Sequence, residues 1–374
     1  EGMVAWRTST YNTGWMNGDI KLATLSDTDT ANVTGAELVT NGTFASNVSG
    51  WTSQYATLSV ASGKMRVTNT ATNGSGLYYW TAEVGKKYVL TADFDIGTAG
   101  GGQLRVWESV DGTIVSTVGI GSSGTYTSTF TATQSSLIIR CMTLGGSGVY
   151  SDWDNVSIRL AEEDRSVNGN GLQVFGTVTK TAVATGADLV AYSGFTGSDY
   201  LEQPYTSDLD FGTGDYSIMG WFKIDTTPSA SRRIARRAYR GVSAWEGSSI
   251  SVEVHGDNKF YTNVTDEGYL TLDSISSSMS VVGIGWVHFC VTKRGTTLSV
   301  FLNGKLDTSL TMTAALGSLD NTDAILTIGN DPAHAGSQGF TGSLALQRWS
   351  ATAPSPEQIK KIYEDEKVLF QENA

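Results

Sequence analysis

Apolar and polar residues alternate with period two in short runs along most of this chain. Between residues 36 and 160 the runs Leu58-Ser59-Val60, Lys64-Met65-Arg66-Val67, Leu77-Tyr78-Tyr79-Trp80, Tyr88–Phe94, Leu104–Trp107, Tyr126–Phe130, Leu137–Arg140 and Trp153–Ile158 predict strands. Gly, Ser or Asp-Gly breaks separate them at roughly the 8–12 residue spacing of a β-sandwich. The pattern resumes after residue 199. Tyr216–Lys223, Ser249–Val254, Trp286–Thr292, Ala324–Gly329 and Gly342–Trp349 read as strands, and Asn303-Gly304 sits where a tight hairpin turn is wanted. Helical spacing shows once. After Pro354-Ser355-Pro356, the residues Ile359, Ile362, Tyr363 and Val368-Leu369 fall on one face of a helix over 357–370.

The chain divides into four segments. Residues 1–35 carry Trp6, Trp15 and Met16 without periodicity and read as an extended arm and linker. Residues 36–160 form a first sandwich. Residues 161–198 open with Glu162-Glu163-Asp164-Arg165 and Asn168-Gly169-Asn170-Gly171, which reads as a linker, with Leu172–Thr179 available as a first strand for the second module. Residues 199–374 form a second sandwich with its terminal helix. The fold class is all-β: two tandem antiparallel sandwiches, or jelly rolls, with an extended N-terminal arm and a short C-terminal helix.

Composition agrees and narrows the function. There are 43 Gly but only 5 Pro in 374 residues, and 10 Trp, 15 Tyr and 12 Phe supply more than one core. The net charge of −12 removes any general electrostatic affinity for nucleic acid or for an anionic membrane. No apolar run approaches the ~18 residues that a membrane helix needs. Cys141 and Cys290 fall in different modules, so they read as small buried hydrophobes rather than a disulfide framework. The chain begins with Glu1 rather than Met, which fits a piece of something longer.

Several phrases carry resemblances. Asp215–Phe222, Trp286-Val287-His288-Phe289, Val300–Gly304, Thr327–Asn330 and Phe340–Ala345, taken in order before a short helix, resemble the laminin-G-like, concanavalin A-like jelly roll over residues 172–370. Glu37–Phe44 with Gly50-Trp51, closed by Trp153–Ile158, is similar to carbohydrate-binding-module sandwiches. The order of modules after Tyr11–Ile20, with Tyr200–Tyr205 and Asp208–Gly212, resembles tail-fibre and other virion proteins of marine-type bacteriophages. These resemblances imply a non-enzymatic virion or extracellular adhesion protein. Its partners would be a host surface glycan and other virion subunits, or further copies of itself. A secreted or cell-surface bacterial carbohydrate-binding adhesin is the alternative.

The chemistry comes from residue types. Jelly-roll hydrolases place paired acids on one strand, and no Glu-x-Asp-x-Glu alternation occurs here. Aromatic faces suit sugar rings, and Tyr79, Trp80, Trp107 and Trp245 are the candidates, with core packing as the competing role. In Leu77-Tyr78-Tyr79-Trp80, alternation sends Tyr79 to the face opposite Tyr78 and Trp80. Arg236, Arg237 and Arg240 belong to a dense basic stretch that also holds Arg232 and Arg233. It reads as a solvated edge, an intersubunit salt bridge, or a fork-like grip on an anionic surface polysaccharide. Both resembled families often hold a structural calcium, which implies Asp154 in the first module and Asn330 with Asp331 in the second as ligands. Among the histidines, the resemblance makes His288 structural.

Overall fold

The computed structural model describes residues 4–7, 12–16, 18–239, 249–266, 272–312, 316–331 and 338–373. The chain forms two compact units, residues 35–161 and residues 1–34 together with 162–374. Among the described residues no helix is long and apolar enough to cross a membrane.

The N-terminal strands are β1 (Val4–Arg7), β2 (Asn12–Met16), β3 (Ile20–Thr24) and β4 (Val33–Gly35). The first compact unit then holds β5 (Thr52–Gln54), β6 (Ala56–Ala61), β7 (Lys64–Asn69), β8 (Ser75–Thr81), β9 (Lys87–Asp95), β10 (Gly102–Trp107), β11 (Ile114–Ile120), β12 (Gly124–Thr131), β13 (Ser136–Thr143) and β14 (Tyr150–Glu162). One sheet runs β11-β10-β13-β8-β5. The other runs β6-β7-β14-β9-β12, antiparallel throughout. The alternating apolar residues meet between them, where Met65, Val67, Trp80, Leu90, Phe94, Leu104, Val106, Ile139 and Trp153 make one buried cluster. The phrase Glu37–Asn41 is irregular. Its Glu37 carboxylate accepts from the Val39 and Ile158 amides at 3.0 and 3.1 Å and from Ser157 Oγ at 2.6 Å, tying the entry of the unit to its exit.

The second unit continues with β15 (Leu172–Ala182), β16 (Val190–Ser193), β17 (Tyr200–Gln203), β18 (Tyr216–Lys223), β19 (Arg232–Tyr239), β20 (Ser249–Val254), β21 (Phe260–Thr265) and β22 (Leu272–Ser276). It closes with β23 (Val287–Arg294), β24 (Thr297–Leu302), β25 (Lys305–Thr311), β26 (Ala324–Ile328), β27 (Ser343–Ser350) and helix α1 (Pro356–Glu366). One sheet follows β17-β26-β19-β20-β21-β22, and the other follows β27-β18-β23-β24-β25. Strand β15 serves both, pairing with β17 through Gln173–Phe175 and with β16 through Thr179–Ala182. Gly176, at φ 60°, makes the change of direction, and a Cβ there would sit 2.1 Å from Asp199 Oδ1. Helix α1 starts on a capping box between Ser355 and Gln358 and seats Ile359 and Ile362 on Met219, Cys290 and Phe301.

Two segment readings need correction. Residues 20–24 are not an arm: β3 pairs with β27, and Leu22 and Leu25 are buried in the second unit's core. A five-residue strand is too short to show a period, and its partner lies more than 300 residues away in sequence. The supposed linker 161–198 supplies β15 and β16. The charged run within it is part of the fold, although Glu163 stays exposed. Glu162 and Asp164 are buried, and Asp164 accepts from the amides of Ala23, Ser166 and Asn170 at 3.0, 2.9 and 3.1 Å. At the end of α1, Glu366 is buried and accepts from Trp221 Nε1 at 2.7 Å and Arg348 Nη2 at 2.8 Å.

Candidate functional site

The outer face of the five-stranded sheet in the first unit gathers the chemistry. Leu104 and Val106 point into the core, so Gln103, Arg105 and Trp107 alternate onto the opposite face. Register then builds three rows across the strands. Trp107, Ile138 and Tyr79 form one; Arg105, Arg140, Leu77 and Thr52 the next; and Gln103, Met142, Ser75 and Gln54 the third.

An outer face would normally be wet, yet much of this one is shielded. Trp107 is only 2% exposed and packs with Leu77 and Ile138. The loop between β10 and β11 accounts for this. Gln54 Nε2, on edge strand β5, donates to Asp111 Oδ2 in that loop at 2.9 Å. Since β5 lies three strands from β10, the loop must arch over the face to reach it. Asp111 makes the turn at φ 57°. Glu108, at the loop's base, accepts from Thr133 Oγ1 at 2.7 Å through its side chain and from Gln134 Nε2 through its carbonyl.

Beneath the loop, the Arg140 guanidinium lies 4.1 Å from the centre of the Trp107 ring, and Arg105 lies 6.0 Å from it. Both are within cation–π range. Arg140 is 7% exposed; its Nε donates to Ser75 Oγ at 2.6 Å and its Nη2 to the Asn73 carbonyl at 3.3 Å. Burial, then the like charge of Arg105, pulls its pKa down to about 10 against the pull of Asp111 and Tyr55. Tyr79, 50% exposed, stands in the Trp107 row, and Tyr55 is also exposed. Four buried polar atoms on this face, Gln54 Oε1, Gln103 Oε1, Arg105 Nε and Trp107 Nε1, have no hydrogen-bond partner among the described residues.

Of the residues expected to bind glycan, Tyr79 and Trp107 are brought together here. Trp80 is not: it points into the core, edge-on to Tyr88 and Phe130 at 5.0 and 6.3 Å. Trp245 and Arg240 lie outside the described residues. Arg236 and Arg237 are buried in the second unit, which corrects both their solvated-edge and their glycan-contact readings. Arg236 is ion-paired with Asp331 and Arg237 with Asp210. Arg237 Nη1 also donates to the Leu319 carbonyl at 2.9 Å. Neighbouring Arg233 pairs with Glu253, and burial followed by Arg236 lowers its pKa to about 10. Alternation alone could not show this, because it does not reveal the acids that other strands bring.

The calcium positions divide. Asp331 is committed to Arg236, with Arg233 Nε 3.6 Å away, and the buried Asn330 donates through Nδ2 to the Gly197 carbonyl at 3.4 Å. A calcium ion there would have to displace two guanidinium groups, so these residues do not fit it. Asp154 stands opposite Asp93 across β14 and β9. Burial, then Asp93 and Asp95, raises its pKa against the pull of Lys64, and Lys64 Nζ is 2.5 Å from Asp95 Oδ2. Among the described residues no group of three or more His, Cys, Asp or Glu side chains is arranged to hold a metal. His288 is buried, and burial drives its pKa down to about 3.

Sequence reasoning missed Gln54, Gln103, Arg105, Asp111 and Arg140. The signal for two of them was present. Gln103-Leu104-Arg105-Val106-Trp107 alternates cleanly, and placing Leu104 and Val106 inside puts the other three on one face.

Residues 195–360 match the laminin-G family model described as the concanavalin A-like lectin/glucanases superfamily. In this stretch the second unit is similar to concanavalin A-like jelly rolls. Similar solved structures include the botulinum neurotoxin serotype G binding domain, at 13% identity and TM-score 0.43 over 55% of this chain and 48% of that chain. The CBM40 of the Ruminococcus gnavus IT-sialidase bound to α2,3-sialyllactose matches at 13% identity and TM-score 0.35, over 41% of this chain and 84% of that one. A CBM4 structure matches at 16% identity and TM-score 0.29, over 32% of this chain and 98% of that one. The chain spans about half the length of the neurotoxin binding domain. Among curated proteins none matches.

Proposed function

We propose that the chain is a non-enzymatic adhesion protein that binds a glycan on the outer face of the first unit's five-stranded sheet. We further propose that it acts as a segment of a phage fibre or capsid appendage outside the host cell. The observation that carries the binding reading is the set of four unpartnered polar atoms on Gln54, Gln103, Arg105 and Trp107. A buried polar atom without a partner costs about 1–3 kcal/mol, so four on one face make a poor structural core. They suit a ligand whose hydroxyls both donate and accept. Tyr79 adds an exposed ring beside them for the apolar face of a sugar. Against catalysis stands the state of the acids: Glu253 of the second unit is held by Arg233 and Asn263, the sequence holds no Glu-x-Asp-x-Glu alternation, and of the alternating acids on β9 and β14, Asp95 is ion-paired with Lys64 and Asp152 with Arg66. The virion role rests on the order of modules and phrases along the sequence.

A glycan array probed with the intact chain tests the site. Tyr79→Ala combined with Trp107→Phe should lower binding at least tenfold with the fold retained by circular dichroism; undiminished binding would overturn the site. Sustained release of reducing ends from a bound polysaccharide would overturn the non-enzymatic reading. Mass spectrometry of purified particles should find the chain, and its absence from them would favour the secreted adhesin.

A further inference from the structure

Arg105 and Arg140 are direct partners across neighbouring antiparallel strands. Such pairs place their side chains on the same face about 5 Å apart at Cβ, where like charges destabilise the sheet. Two guanidinium groups here are accompanied by one carboxylate, Asp111, which already accepts from Gln54. Glu108, the other acid of the loop, accepts from Thr133 and lies at its base. Arg140 is nearly buried, and the Arg105 Nε is buried without a hydrogen-bond partner. Positive charge is therefore concentrated and partly desolvated beneath a loop, beside an aromatic ring, in a protein whose net charge is −12. A neutral sugar would leave that repulsion in place. An oxyanion would relieve it, since a guanidinium fork grips carboxylate or sulfate through two parallel hydrogen bonds.

We propose that the glycan held on this face is anionic, its carboxylate or sulfate seated between Arg105 and Arg140 while the exposed Tyr79 contacts its ring. This rests on the glycan-binding proposal and names the class of sugar. The shared chemistry is an oxyanion on a pyranose, and the two sources separate by experiment.

The intact chain is titrated calorimetrically with an oligouronate, a sulfated oligosaccharide and a neutral oligosaccharide of matched length. At least one anionic ligand should bind more than tenfold tighter than the neutral one, and its affinity should fall as salt rises. Which anionic ligand wins identifies the oxyanion. Arg105→Gln should bring the anionic affinity to within about twofold of the neutral one. The same change should leave the melting temperature unchanged or raise it, because it removes a like-charge neighbour of Arg140; a purely structural arginine would lower it. Equal binding of neutral and anionic ligands that Tyr79→Ala weakens would overturn the anionic class and keep the glycan site. Binding of none of the three, with none found on the array, would overturn the site itself.

Discussion

Arginines gather in two places on this protein. On β19, Arg233, Arg236 and Arg237 each meet a carboxylate, from Glu253, Asp331 and Asp210. On the five-stranded sheet of the first unit, Arg105 and Arg140 face each other, and Asp111 is the one acid drawn toward Arg140. The β19 stretch is far denser in sequence, yet its charges are neutralised and buried. The sparser pair, 35 positions apart in the chain, is the one left with excess charge. Density of one residue type along a chain therefore says little about the field it makes. What counts is which opposite charges the fold delivers to the same place.

The largest effect that would sharpen this contrast is expected at Arg237. Arg237→Ala removes a buried guanidinium and leaves Asp210, among the described residues, with only the Tyr205 hydroxyl and the Asn321 amide; breaking a buried pair costs about 3–5 kcal/mol. Urea denaturation should show that loss in the second unit, with glycan affinity of the first unit unchanged. A loss below 1 kcal/mol would mean that the β19 arginines are not held by their acids.

A buried acid without a guanidinium partner gives the converse case. Burial lifts the Glu162 carboxyl to about 7, although the Tyr192 hydroxyl donates to it at 2.7 Å and Lys180 pulls the other way. Its folded pKa lies above the unfolded one, so the folded chain keeps a proton that the unfolded chain has lost. Its contribution is fully present below about pH 4.5 and is lost as the pH rises through 7. Glu162→Gln should match the parent near pH 4.5 and exceed it at pH 8 by on the order of 2–3 kcal/mol. A pH-independent difference between the two would contradict this.

The smallest effect concerns the loop over Trp107. Gln54→Ala deletes the hydrogen bond to Asp111, a contribution of about 0.5–1.5 kcal/mol. The melting temperature should drop by a few degrees at most, while hydrogen exchange in residues 108–113 should quicken. Unchanged exchange there would show that the loop holds its place without Gln54.

Much of the strand content was legible because half-buried strands alternate with period two, as Lys64–Val67 and Tyr88–Phe94 do. The single helix was legible from Ile359 and Ile362 behind a proline. Strands β5 and β11 were not: Thr52–Gln54 is short and polar, and Ile114–Ile120 keeps much of its surface in water. Of the candidate site, Tyr79 was separated from Tyr78 and Trp80 by alternation alone, and the structure places those side chains accordingly.

By itself the sequence determined the class of fold, the faces of its regular strands, the absence of a bulk attraction to polyanions, and the lack of a Glu-x-Asp-x-Glu alternation. Each of these is local or additive, set by neighbours in the chain or by a sum over it. Only the tertiary structure decided which charges are neutralised. Asp331 reaches Arg236 from 95 positions away, and Arg140 reaches Arg105 from 35. Electrostatics in a folded protein depends on distance and burial, and neither is written along the chain.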